Sequence, residues 1–110
     1  MADEKILTNA QEDESSTIVK FSKAYRFEGK DYTEVDLSGM DDLSAEDMIA
    51  ADRYLTRSGS FSVMPEMTLE YACFIAARAA KQPIEFFRGL PPKDALKVKN
   101  RVTSFFYSED

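Results

Sequence analysis

Thr68-Leu69-Glu70-Tyr71-Ala72-Cys73-Phe74-Ile75-Ala76-Ala77-Arg78-Ala79-Ala80-Lys81 is the most hydrophobic run of the chain, apolar on nearly every helical face between Tyr71 and Ala77. Its alanine content favours helix over strand, because alanine gives up no side-chain freedom on entering a helix. A helix that is apolar all round in a small chain has to be covered on every side. The run therefore predicts a buried central helix, and the other segments are read as its covering. Cys73, the one cysteine, lies inside it. That excludes an intramolecular disulfide and predicts a packed, unreactive thiol rather than a nucleophile.

Downstream, Pro65 and Glu66 suit a first helical turn, so the central helix is expected over about 65 to 82. Pro83 can open a short helical turn over 83 to 88, anchored by Phe86 and Phe87 and ended by Gly89. Leu90-Pro91-Pro92 is a stiff elbow that places Pro92 at the first position of a final helix, about 92 to 106. Along that helix Ala95, Val98, Val102 and either Phe105 or Phe106 recur at helical spacing, while Lys93, Lys97 and Arg101 share another face. The basic face reads as solvated rather than as a nucleic-acid surface, because the chain is acidic overall and its aromatics are directed at a core.

Upstream, Leu43-Ser44-Ala45-Glu46-Asp47-Met48 is a helix start: Ser44 can cap the free amides, Asp47 holds the reciprocal position and Leu43 can staple against Met48. The helix is expected over about 44 to 58, with Met48, Ala51 and Leu55 inward and Gly59 at its end. The loop after it, Ser58 to Met64, has an apolar tip in Phe61 and Val63, expected to tuck under the central helix. Before it, Val19, Phe21, Tyr25 and Phe27 alternate along one face, interrupted by Lys23, and predict a strand. Glu28-Gly29-Lys30-Asp31 supplies turn chemistry, and Tyr32 to Leu37 returns as the second strand of a hairpin over about 17 to 38. A two-residue loop at Gly29-Lys30 pairs Phe27 with Tyr32 and Lys23 with Asp36, whereas a three-residue loop puts Val35 and Leu37 on the face of Tyr25. Residues 1 to 16 are acidic and aperiodic apart from Ile6 and Leu7, and are expected to form a disordered tail.

The expected architecture is α+β, mainly α: an N-terminal β-hairpin, then a small bundle of three main helices plus a short helical turn, in a single globular domain over 17 to 110. Charge is polarised along the chain. Residues 28 to 70 hold eleven acids against three bases, and residues 78 to 101 hold seven bases against two acids. Such segments can pair within the fold, join copies in a homo-oligomer or steer a partner. Histidine is absent, the acid pairs Asp41-Asp42 and Glu46-Asp47 are explained by turn and cap chemistry, and the four glycines make no phosphate-binding loop. No enzyme, cofactor or metal is expected. The chain shows no leader and no apolar run of membrane-spanning length, which predicts a cytosolic protein.

The C-terminal third, Ala76-Ala77-Arg78-Ala79-Ala80-Lys81-Gln82-Pro83-Ile84-Glu85, then Gly89-Leu90-Pro91-Pro92-Lys93-Asp94, then a helix closing on Phe105-Phe106, resembles the tail assembly chaperones of long-tailed bacteriophages. The hairpin with its Gly-Lys turn, the acidic strand Val35-Asp36-Leu37 and the helix containing Asp47-Met48-Ile49-Ala50 fit the same order, so the resemblance covers roughly residues 19 to 106. It implies a non-enzymatic protein of the bacterial host cytoplasm that binds and solubilises the tape-measure protein, helps recruit the tail-tube protein, and is absent from the finished virion. No nucleic-acid or membrane partner is implied. The C-terminal aromatics exceed what the short helices can easily bury, so the expected partner-binding residues are Phe86, Phe87, Phe105 and Phe106, with Arg88, Lys97 and Arg101 bordering the groove. Two other readings stand beside this one: an acidic DNA mimic that blocks a DNA-binding protein, suggested by the acids between Glu28 and Glu70, and a permanent structural component of the tail.

Overall fold

The computed structural model of the chain describes residues 17–59 and 68–107. The expected tail before Thr17, the loop tip at Phe61 and Val63 and the expected helix start at Pro65 lie outside the described residues. In chain order the elements are β1 (Ile18–Phe27), β2 (Lys30–Asp36), a 3-10 turn (Ser38–Asp42), α1 (Ala45–Arg57), α2 (Leu69–Ala80), α3 (Ile84–Arg88) and α4 (Pro92–Tyr107). The fold is α+β, an antiparallel hairpin followed by helices.

The alanine-rich run is α2, and α1, α3, α4 and the 3-10 turn all pack on it. Tyr71, Ala72, Cys73, Ile75, Ala76, Ala77 and Ala79 are buried, which leaves Arg78 as the exposed residue of its last turns. Burying a side chain the size of Ile75 stabilises the fold by about 1.5–3 kcal/mol. Thr68 caps the start of α2 by accepting the Tyr71 amide at 3.2 Å, and Lys81 closes its end in the left-handed conformation.

Helix α1 opens with the expected capping box: the Ser44 hydroxyl accepts the Glu46 amide at 3.2 Å, and the Ser44 amide donates to the Asp47 carboxylate at 2.9 Å. Ala51 and Leu55 point inward as expected, but Met48 is 38% exposed. Beside it the Tyr71 hydroxyl reaches the Met48 carbonyl at 3.5 Å.

The hairpin corrects both expected registers. Its loop is Glu28–Gly29, with φ of 49° and 83°, so that Phe27 pairs with Lys30 and Tyr25 with Tyr32. Two consecutive positive φ values are what a tight turn needs to match the twist of its strands. Farther along, Val19 pairs with Val35 and Lys20 with Glu34, which leaves residues 21–24 of β1 opposite Thr33 alone. This irregularity absorbs three extra residues. It lets Lys23 turn to solvent while Val19 and Phe21 stay buried, and it brings Val35 and Leu37 into the same core. The face assignment of the second expected register is therefore met, without its three-residue loop.

Helix α4 runs antiparallel to β1 and holds it by three contacts. Asp94, fully buried, accepts the Ser22 amide at 2.9 Å and the Ser22 hydroxyl at 3.1 Å. One and two turns on, Lys97 Nζ donates to the Lys20 carbonyl at 2.9 Å and Arg101 Nη1 to the Ile18 carbonyl at 3.2 Å. The spacing 94, 97, 101 is one helix face, matched to every second residue of a strand. Between hairpin and bundle, Phe86 of α3 is enclosed by Tyr25, Phe27 and Tyr32, each meeting it edge-on at 4.9–5.2 Å between ring centroids. The Tyr25 hydroxyl donates to the Phe86 carbonyl at 2.8 Å.

Candidate functional site

The start of α2, the α3 segment and the start of α4 diverge around a groove of about 550 Å³. Its floor is apolar and buried: Cys73, Phe87, Leu90 and Ala95. Its rim carries Leu69, which is 40% exposed, with Thr68 and Pro92. Each wall has a local cause. Pro92 starts α4 at the elbow after α3; Leu90 turns back so that its amide donates to the Phe87 carbonyl at 3.3 Å, and at Gly89, the C-cap of α3, a Cβ would lie 2.7 Å from the Tyr25 hydroxyl.

The rim also carries charge. Arg88 donates to the Tyr54 hydroxyl and lies 3.7 Å from the Glu70 carboxylate, so one guanidinium on α3 is tied to α1 and α2. Its side chain remains 53% exposed. A guanidinium fixed by two partners and still open to solvent keeps unused donors in a planar fork suited to a carboxylate. On the groove floor, burial pushes the Cys73 thiol up to about 11. It is protonated at neutral pH, and it behaves as a small apolar wall.

The structure separates the expected partner-binding residues into three groups. Phe87 and Arg88 line the groove together. Phe86 is a core residue, enclosed by hairpin aromatics, and Phe87 on the groove floor is buried too. Neither points along the surface, which corrects the expectation for that pair. In the second pair Phe106 packs on the core, its ring 6.0 Å from that of Tyr71, and Phe105 is 40% exposed. Lys97 and Arg101 do not line this groove; their charges sit on the β1 carbonyls. Leu69, Glu70, Leu90, Pro92 and Ala95 were not expected as site residues. The signal was the Leu90-Pro91-Pro92 elbow, which marks where two helices must part.

The polarised charges pair in part within the fold. Asp47 and Arg78 meet at 2.6 Å, and Arg78 also lies over the Phe74 ring, 5.0 Å from its centroid. The Ser44 amide first, and Arg78 second, hold the Asp47 carboxyl below its usual range. Among the described residues no helix is long and apolar enough to cross a membrane, and no group of three His, Cys, Asp or Glu side chains is placed to hold a metal ion. No protein-family model matches the chain, and neither a curated protein nor a solved structure matches it.

Proposed function

We propose that this chain is a non-enzymatic tail assembly chaperone of a long-tailed bacteriophage, which binds and solubilises the tape-measure protein and helps bring tail-tube subunits to it. The observation that carries the reading is the groove between α2, α3 and α4, apolar on its floor and edged by Arg88 and Glu70. It adds to the resemblance of residues 19 to 106 to that family. A tape-measure chain exposes long apolar helical stripes until the tail tube encloses them, and a short groove receives one or two anchors of such a stripe at helical spacing. Leu69 and the floor residues supply the apolar contact; Arg88 selects acidic residues flanking the stripe. One groove of this size gives reversible binding, as a factor that must later be displaced requires. The chain then acts in the bacterial host cytoplasm and leaves before the virion is complete.

The acids between Glu28 and Glu70 support a DNA mimic less well, because Asp31, Asp47 and Glu70 each face an arginine of this same chain. The test is co-expression with the tape-measure protein of the same genome. The chaperone reading expects that protein to stay in the soluble fraction with this chain and to aggregate without it. Equal aggregation in both cultures contradicts it.

A further inference from the structure

The groove between α2, α3 and α4 has a buried apolar floor and, at its rim, Leu69, which is 40% exposed. A segment able to cover it exists in this same chain. Before Thr17 the sequence holds one strongly apolar pair, Ile6-Leu7, set between Asp3 and Glu4 on one side and Glu12, Asp13 and Glu14 on the other. The chain enters the fold beside α4: the Ile18 carbonyl accepts from Arg101, and β1 then runs back along α4 to Ser22 and Asp94. From Arg101 to Ala95 on the groove wall is about 9 Å of helix, and passing around a helix adds about 10–12 Å. The segment from Leu7 to Thr17 spans up to about 33 Å when extended, so Leu7 reaches the groove with chain to spare. The route is also basic. Lys93 adjoins Pro92 in the first turn of α4, and Lys99 is one turn beyond Ala95 on the same helix face. Among the described residues neither lysine has an ion pair, while Glu12, Asp13 and Glu14 lie in the part of the chain that must cross this face.

We propose that the segment over residues 3–14 is an internal competitor for the groove, with Ile6 and Leu7 on the apolar floor and Glu12, Asp13 and Glu14 against Lys93 and Lys99. The inference rests on the groove being a binding surface, as proposed above, and names what covers it before a partner arrives. Two apolar residues and a few screened charges bind weakly, but tethering holds the segment at an effective concentration on the order of millimolar. Leu69 and the floor are thereby covered reversibly. A partner helix with a longer apolar stripe displaces the segment, whereas a chance apolar peptide competes with it poorly.

The probe is an acetylated, amidated peptide of residues 1–14, titrated into two full chains, the parent and Ile6→Ser with Leu7→Ser, and followed by amide chemical shift. The proposal expects the peptide to bind the double variant about two- to tenfold more tightly than the parent, in which the tethered segment competes. The Leu69, Cys73, Leu90 and Ala95 amides should move on binding and should differ between the two chains before peptide is added. Leu69→Glu should abolish both effects, and added salt should weaken binding. Equal affinity for the two chains, shifts confined to other residues, or no binding at millimolar peptide overturns the proposal. So do differences between the chains that grow with protein concentration, which mark docking on a second copy. Peptide binding as expected beside an insoluble tape-measure protein leaves this inference standing and refutes the chaperone reading; the converse pair of results refutes this inference alone.

Discussion

Gly39 shows how little room some single positions leave. The 3-10 turn crosses the end of α2 there, and a Cβ on Gly39 would lie 2.2 Å from the Ala79 carbonyl oxygen. Backbone cannot swing aside as a side-chain tip can, so Gly39→Ala is expected to cost about 1–3 kcal/mol as an overpacked contact. For a domain of this size that is a fall in melting temperature of roughly 4–24 °C, read by thermal unfolding. Cys73 gives a second expectation at this scale. Its thiol, raised to about 11 by burial, should react slowly with alkylating reagents at neutral pH. Between the ordinary thiol range and about 11 the unfolded chain is deprotonated and the folded one is not, so stability falls as pH rises through that window. Cys73→Ala should remove that part of the alkaline fall in denaturant titrations. The residues read least well from sequence are Lys97 and Arg101. Their spacing with Lys93 marks a basic face, but pattern alone cannot say that two strand carbonyls lie across from it and need donors.

Elements are held together here by a few polar contacts whose loss should be measurable. Asp94 ties the irregular part of β1 to α4 by accepting both the amide and the hydroxyl of Ser22. Asp94→Ala should destabilise the fold by about 1.5–3 kcal/mol, the range for hydrogen bonds to a charged group, and Ser22→Ala by less because only the hydroxyl is lost. Hydrogen exchange should show the loss first in β1. At the start of α1, Ser44→Ala should cost about 1 kcal/mol as a lost cap. Asp47 adds a pH dependence of known sign: its carboxyl is held low by the Ser44 amide and Arg78, so its stabilisation is present above the ordinary carboxylate range and is lost as pH falls through its lowered value. Asp47→Asn should flatten that part of the acid unfolding curve. The cap was legible because it is local, needing only Ser44 and a residue three positions on. The hairpin register was not, because three extra residues on β1 are accommodated by a contact with Asp94, seventy-two positions away.

At the scale of the molecule, the order of elements followed from one decision, that the alanine-rich run is buried all round and the remaining segments cover it. Periodicity then placed the hairpin and the helices. The groove was out of reach of that reasoning, since its walls come from three elements and only Phe87 and Arg88 among the expected residues reach it. The charge asymmetry read along the chain is partly spent inside the fold, in Asp31 with Arg26, Asp47 with Arg78 and Glu70 with Arg88.

The most direct test of the groove as the chaperone surface is the amount of soluble tape-measure protein recovered with a Leu69→Glu variant. Leu69 is exposed at the rim, so the variant should keep the circular dichroism and melting temperature of the parent chain. It should nevertheless lose most of the tape-measure protein to the pellet, while Met48→Glu, similarly exposed on α1 and away from the groove, retains it. A folded Leu69→Glu protein that solubilises the tape-measure protein as well as the parent contradicts the groove as the chaperone surface.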